Sequence, residues 1–330
     1  MAHRAYDVVI IGSGPAGYTA ALYAARANLK VLVFQGFESG GQLMLTSDVE
    51  NYPGYRDGVM GPEMMDDFEA QAARFGAEMR PENIERVDFS ERPFKLWAED
   101  EDEATLAKAV VIATGAKAKW LGLDSEQQLM GKGVSGCATC DAFFYRGKKV
   151  AVVGGGDTAM EEAGVLAKFA DEVFLIHRRD EFRASRIMLE RARKNPKITF
   201  ITDTVVEEIL GKDAVEGVRT RNTKTDEERT IDVSGFFTAI GHTPATSLFE
   251  GQVEMKEGGY IIQKENTMTS VPGVFAAGDV SDTRYRQAVT AAGDGCRAAI
   301  DSERWLEEQG EAEGAEDPAV WTAEKDVANF

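Results

Sequence analysis

Asp7-Val8-Val9-Ile10-Ile11-Gly12-Ser13-Gly14-Pro15-Ala16-Gly17 is the stretch on which the fold turns. A short apolar run rich in β-branched residues reads as a strand buried on both faces. Glycines 12, 14 and 17 follow it in G-x-G-x-x-G spacing. The first permits a tight turn, the second lets backbone approach a pyrophosphate, and the third lets a helix pack close to the strand. Residues 18–27 are alanine-rich, with good helix formers and no internal Pro or Gly. Asn28 can close that helix, and residues 29–34 read as the next strand. Strand, glycine turn, helix and strand in this order open a dinucleotide-binding βαβ unit, whose helix N-terminus offers free N–H groups to phosphates.

The same grammar recurs about 140 residues later. Residues 149–153 read as a strand, Gly154-Gly155-Gly156-Asp157-Thr158-Ala159 as the turn, 160–169 as a helix and 172–176 as a strand. The position after each second strand carries the specificity. An acidic residue there holds the adenosine ribose. In the first unit that place falls to Gln35, followed by Gly36; its neutral amide oxygen can accept a ribose hydroxyl more weakly. In the second unit the chain reads His177-Arg178-Arg179-Asp180-Glu181-Phe182-Arg183. Guanidinium groups pair bidentately with a 2′-phosphate, which a carboxylate would repel, so this segment predicts NADPH rather than NADH. The plain alternative is a solvated basic patch. A local basic cluster in a chain of net charge −19 speaks against it.

Cys137-Ala138-Thr139-Cys140-Asp141 is the third feature. CxxC fits either a redox pair or half of a zinc site. The remaining ligand types, Cys296 and the scattered His3, His177 and His242, do not complete a zinc site. The redox reading leads: at a helix start the dipole lowers one thiol pKa. Asp141 can exchange a proton with the adjacent thiolate, a role compatible with simple helix capping. Cys296, in an Ala/Gly-rich segment, reads as a small buried hydrophobe. No metal site is expected.

Composition narrows the function classes. The 330 residues are 43% hydrophobic and 28% charged, enough for a packed core in about two domains. A net charge of −19 disfavours nucleic acid and anionic lipid as partners. No apolar run approaches the roughly 18–20 residues of a membrane span. Three cysteines exclude a disulfide-rich scaffold, so a cytoplasmic protein is expected. The acidity is uneven: residues 99–103 contribute −5 and residues 303–330 contribute −7, leaving −7 for the other 297. Further strands are expected at 94–97, 108–112, 198–202, 215–221, 229–233 and 274–277, and a helix at 288–306. Residues 307–330 read as a mobile or loosely docked acidic tail.

Ten segments in order resemble the low-molecular-weight, bacterial-type thioredoxin reductases: GSGPAGYTAALYAARA, GGQL, ENYPG, ATGA, CATCD, GGGDTAMEEA, HRRDEFRAS, AIGHTP, GVFAAGDV and YRQAVTAAGDGC. The resemblance spans residues 5–307. It implies an α/β fold of two Rossmann-like domains, with an NADPH domain inserted within an FAD domain. The parts would be 1–117 and 246–306 for FAD, 118–245 for NADPH and the redox disulfide, and 307–330 for the tail, with hinges near Lys117 and Ala245 about which the small domain rotates. It also implies a homodimer.

Residue by residue, the resemblance gives the FAD pyrophosphate to Gly12, Ser13, Gly14, Pro15 and Ala16. Gly41, Gln42, Thr46 and Asn51 would line the flavin site, with Thr114 and Gly115 where the chain leaves the FAD domain. Gly278 and Asp279 would meet the ribitol, and Arg286, Gln287 and Ala288 the flavin end. Gly154–Thr158 (with Gly155, Gly156 and Asp157), His177, Arg178, Arg179, Arg183, Ile240 and Gly241 would hold NADPH. Cys140 would face the flavin and Cys137 would attack the disulfide of oxidised thioredoxin. Phe143 and Phe144 would help dock thioredoxin; ordinary core aromatics explain them equally well. Three departures stand out: Gln35, Ala142 where many members have Gly, and a long tail carrying Trp321 and Phe330. Within the class, a different electron donor (a ferredoxin) or a peroxiredoxin-system partner is the rival; a flavin-holding redox sensor without turnover is the rival outside it.

Overall fold

The computed structural model describes residues 5–46 and 48–311. Two compact units emerge: residues 1–117 together with 243–330, and residues 118–242 between them. The first is built on a mixed sheet with a parallel centre and the second on a parallel sheet, so the fold is α/β with one unit inserted in the other.

In the first unit the sheet runs in the order Glu78–Arg80, Val31–Phe34, Tyr6–Ile11, Thr105–Ile112, Phe94–Ala98, Ile84–Asp88. Its centre is parallel, with Val8 opposite both Val31 and Ala109. Thr105–Ile112 divides its length between partners. Residues 105–107 pair antiparallel with Phe94–Leu96, and residues 110–112 pair parallel with Val274–Ala276. Alternation sorts the strand side chains into two buried layers. Val8, Ile10, Val31, Val33, Ala109 and Val111 face the helices Pro15–Arg26 and Ala288–Gln309. Val9, Ile11, Leu32, Phe34, Val110 and Ile112 pack with Phe89, Phe94, Leu96 and Phe249 on the other side.

The alanines of the first helix allow that close packing. Pro15 sits at its first turn, where a missing N–H costs nothing. Asn28, at φ +62°, ends it, and the Leu29 N–H returns to the Ala24 carbonyl at 3.2 Å. Ala288–Gln309 runs three residues beyond the end expected at 306. The left-handed Gly310 stops it, and Glu311 pairs with Arg92 at 3.2 Å. The expected tail beyond residue 311, with Trp321 and Phe330, lies outside the described residues, as does His3.

The second unit carries a five-stranded parallel sheet in the order Val134–Ser135, Gly235–Thr238, Lys149–Val153, Glu172–Ile176, Ile198–Ile201. Helices Asp157–Leu166 and Arg186–Arg193 pack on it through Ala159, Ala163, Leu166 and Ala192. A three-stranded antiparallel meander, Thr204–Gly211, Val215–Asn222 and Glu228–Asp232, follows. Among the described residues no helix is long and apolar enough to cross a membrane, and no cluster of metal-ligating side chains occurs.

Candidate active site

The glycines of the first turn divide by their surroundings. A Cβ on Gly12 (φ +112°) would lie 2.3 Å from the Ala113 carbonyl oxygen, and one on Gly17 would lie 2.0 Å from the Gly12 oxygen. Those two positions demand glycine for packing. A Cβ on Gly14 would meet nothing within 4 Å. Gly14 faces open space at the N-terminus of the first helix, where a pyrophosphate can reach free N–H groups. This asymmetry fits a dinucleotide and is hard to explain for a merely structural turn.

Around that opening several expected residues come together. The Ser13 hydroxyl donates to the Gln35 carbonyl at 2.8 Å and accepts the Gly40 N–H at 3.0 Å. A Cβ on Gly41 would come within 3.3 Å of the Gly14 Cα. The Gln35 amide nitrogen donates to the Tyr18 hydroxyl at 2.8 Å, and Tyr18 donates to Glu69 at 2.7 Å. Gln35 is therefore oriented by a neighbour that sequence reading did not find. Gly36 is left-handed beside Asn83. Thr46 donates to the Gln42 carbonyl at 3.4 Å, and Thr114 to the Ala245 carbonyl at 2.7 Å, just before left-handed Gly115.

At the other end, Asn51 and Gln287, 236 residues apart, meet through Asn51 Nδ2 and Gln287 Oε1 at 3.3 Å. Gln287 caps the helix that begins at Ala288, in a reciprocal box with Thr290. Left-handed Gly278 lies against Ala16. Burial, reinforced by Asp282 and opposed by Arg286, pushes the Asp279 carboxyl up to about 7. The Nε of Arg286 is buried without a hydrogen-bond partner among the described residues, although Nη2 donates to the Tyr260 hydroxyl at 3.2 Å. A buried carboxyl and an orphaned guanidinium N–H fit a polar ligand whose hydroxyls and acceptors would satisfy both.

The second glycine turn repeats the design. A Cβ on Gly154 would meet the Ala239 oxygen at 2.3 Å and one on Gly155 the His177 ring at 2.2 Å, whereas Gly156 opens to space. Left-handed Gly241, next to Ile240, is also open. The Gly155 carbonyl accepts N–H groups from Arg183 and Ala184 at 2.8 and 3.1 Å. Asp157, at the start of the helix that Thr158 continues, accepts the Ser185 N–H at 2.6 Å. The turn thus holds the arginine loop. Arg178, Arg179 and Arg183 are exposed and make no ion pair with a described residue. His177 stacks on Phe182, with ring centroids 4.8 Å apart; burial, with the three arginines adding, lowers its pKa.

Cys137 and Cys140 form a disulfide with Cα atoms 5.4 Å apart, at the start of the short helix Ala138–Asp141. The Cys140 N–H points at Cys137 Sγ at 3.2 Å. Ser135, missed in the sequence, accepts the Cys137 N–H at 3.0 Å. A serine at a strand end two residues before CxxC was the available signal. Burial raises the Asp141 carboxyl, and a hydrogen bond from Ser135 opposes that shift. Phe143 and Phe144 are 58% and 41% exposed, which removes the core-aromatic explanation. Phe143 packs edge-on to Phe169, with Arg146 over its ring. Cys296 is free and half-buried.

The model of the family described as pyridine nucleotide-disulphide oxidoreductase matches residues 6–295. A thioredoxin reductase of Mycolicibacterium smegmatis is 58% identical over 305 residues, covering 92% of this chain and 97% of that one. A bifunctional thioredoxin reductase/thioredoxin of Mycobacterium leprae (strain TN) is 56% identical, over 92% of this chain and 66% of its own length. The solved structure of a thioredoxin reductase from Giardia duodenalis superposes with a TM-score of 0.89 at 46% identity, covering 92% of this chain and 99% of that one.

Proposed function

We propose that this chain, which belongs to the pyridine nucleotide-disulphide oxidoreductase family and within it to the thioredoxin reductases, passes electrons from NADPH through FAD and the Cys137–Cys140 disulfide to oxidised thioredoxin. The observation that carries the reading is the joint presence of two open-faced glycine turns and a CxxC disulfide beside a carboxyl with a raised pKa. When bound, nicotinamide and flavin supply the hydride and electron-pair chemistry.

Gly12 to Ala16, with Gly41, Gln42, Thr46, Asn51, Asp279, Arg286 and Gln287, would hold the flavin nucleotide. Gly154 to Thr158 and Gly241 would hold the nicotinamide nucleotide, and Arg178, Arg179 and Arg183 its 2′-phosphate. Opening the Cys137–Cys140 bond takes two electrons and two protons. Asp141, whose carboxyl burial pushes above its ordinary value, is placed in the chain next to Cys140 to give one of those protons and later take it back. Cys137 loses its proton to solvent and attacks, as thiolate, one sulfur of the partner disulfide, releasing the other as thiolate. Cys140 attacks Cys137 Sγ, reforms the intramolecular bond and releases the second partner thiolate. Exposed Phe143 and Phe144 offer an apolar contact for that partner.

The same reading makes the protein a cytoplasmic homodimer, with a domain organisation of 1–117 and 246–306 for FAD and 118–245 for NADPH. The test is NADPH-dependent reduction of thioredoxin by purified, FAD-loaded protein. Turnover that disappears in Cys140→Ser supports the proposal. Turnover with a reduced ferredoxin but not with NADPH would replace the donor.

A further inference from the structure

The arginine loop is held from a second side, by a hairpin with no part in the nucleotide fingerprint. The turn between Val215–Asn222 and Glu228–Asp232 is tightly built: the Asn222 carboxamide oxygen accepts the Lys224 and Thr225 N–H groups at 2.9 and 3.0 Å. Its tip docks on Asp203. The Asp203 carbonyl accepts the Thr223 N–H and hydroxyl. Asp203 is left-handed at φ +52°, and its own N–H reaches the Arg179 carbonyl at 3.4 Å. Next to it the Thr204 N–H donates to the His177 carbonyl at 3.0 Å. From this tip Lys224 Nζ bridges two carboxylates, Asp180 at 2.9 Å and Asp203 at 3.0 Å.

Asp180 immediately follows Arg178 and Arg179. Left unpaired, its carboxylate would repel a 2′-phosphate bound by those arginines. The cation that neutralises it comes from more than 40 residues further along the chain. Arg178, Arg179 and Arg183 make no ion pair among the described residues, while the Asp180 carboxylate is occupied by Lys224.

We infer that Lys224 is a specificity-determining positioning residue: its bridge to Asp180 and Asp203 keeps the 177–183 loop electropositive and in place for a 2′-phosphorylated nucleotide. This rests on the reading of that loop as the NADPH 2′-phosphate site. Lys224 touches no nucleotide in this role and acts through Asp180.

The test is calorimetric titration of the FAD-loaded protein with 2′,5′-ADP and with 5′-AMP at low salt, which needs no turnover. Wild type is expected to prefer 2′,5′-ADP. Lys224→Met should weaken 2′,5′-ADP binding about threefold to fivefold, the scale of an exposed ion pair, and leave 5′-AMP unchanged. Lys224→Arg should retain the preference, and adding Asp180→Asn to Lys224→Met should restore it. Wild-type affinity for 2′,5′-ADP in Lys224→Met overturns the inference, as does equal loss of both ligands or failure of Asp180→Asn to restore binding. If wild type itself binds the two ligands equally, the NADPH reading of the loop falls, and this inference falls with it.

Discussion

Asp279 offers the sharpest handle on the flavin site. Its carboxyl is pushed up to about 7 from an ordinary 3.8, chiefly by burial, with Asp282 adding and Arg286 opposing. A ligand hydroxyl donating to this group favours its ionised form, so binding and deprotonation are linked. With a pKa near 7, about one-tenth of the group is ionised at pH 6 and about nine-tenths at pH 8. The FAD dissociation constant of wild type should therefore fall about tenfold between those values. In the ligand-free protein the sign is opposite. A carboxyl raised on folding stabilises nothing as pH rises; it costs stability through the window from about 4 to about 7. Above that window the full cost of holding the group so far from 3.8 approaches roughly 4 kcal/mol. Asp279→Asn removes the titration, so its FAD affinity should be weak and flat from pH 6 to 8. The assay is flavin fluorescence quenching on apo-protein at each pH. Asp294, also raised by burial, titrates nearby, so Asp294→Asn is the control that should keep the slope. A flat wild-type profile, or the same slope in Asp279→Asn, refutes the linkage.

Three further outcomes follow from the geometry. Gly17→Ala and Gly295→Ala each drive a methyl to about 2 Å from a backbone oxygen, of Gly12 and Ala16 respectively. Urea melts should show losses at or above the 1–3 kcal/mol of ordinary overpacking, whereas Gly14→Ala, in open space, should keep stability and lose flavin affinity. Asp141→Asn should slow thioredoxin turnover on the order of 10²-fold with unchanged nucleotide affinity, as steady-state kinetics would show. Phe143→Ala should raise KM for thioredoxin up to about tenfold and leave kcat near wild type, since an exposed ring acts in docking rather than chemistry.

What could be read from the sequence was whatever local physics dictates. The turns at Gly12–Gly17 and Gly154–Gly156 were legible because strand, turn and helix follow each other without interruption. The same held for the arginines after Ile176 and for CxxC. The strands Lys149–Val153 and Glu172–Ile176 came out at their observed bounds. What escaped depends on long-range contact. The strand Gly235–Thr238 is too short and too close to the AIGHTP turn to announce itself, yet it sits second in its sheet. The helix Gly61–Arg74 begins on a glycine-proline step, with no side-chain cap to mark it. Tyr18 orienting Gln35, Ser135 beneath the disulfide and Lys224 on Asp180 each join residues whose partnership no period or spacing encodes. Phe143 and Phe144 read equally well as core aromatics from sequence, and their exposure removes that explanation.

The central claim is that a reduced pyridine nucleotide opens the Cys137–Cys140 bond. It is tested most directly by counting thiols in the FAD-loaded protein, anaerobically and after denaturation, before and after one addition of NADPH. Of the three cysteines only Cys296 is free in the oxidised protein, so the count should rise from one to three with NADPH and stay near one with the same amount of NADH. A count that stays at one after NADPH would contradict the account.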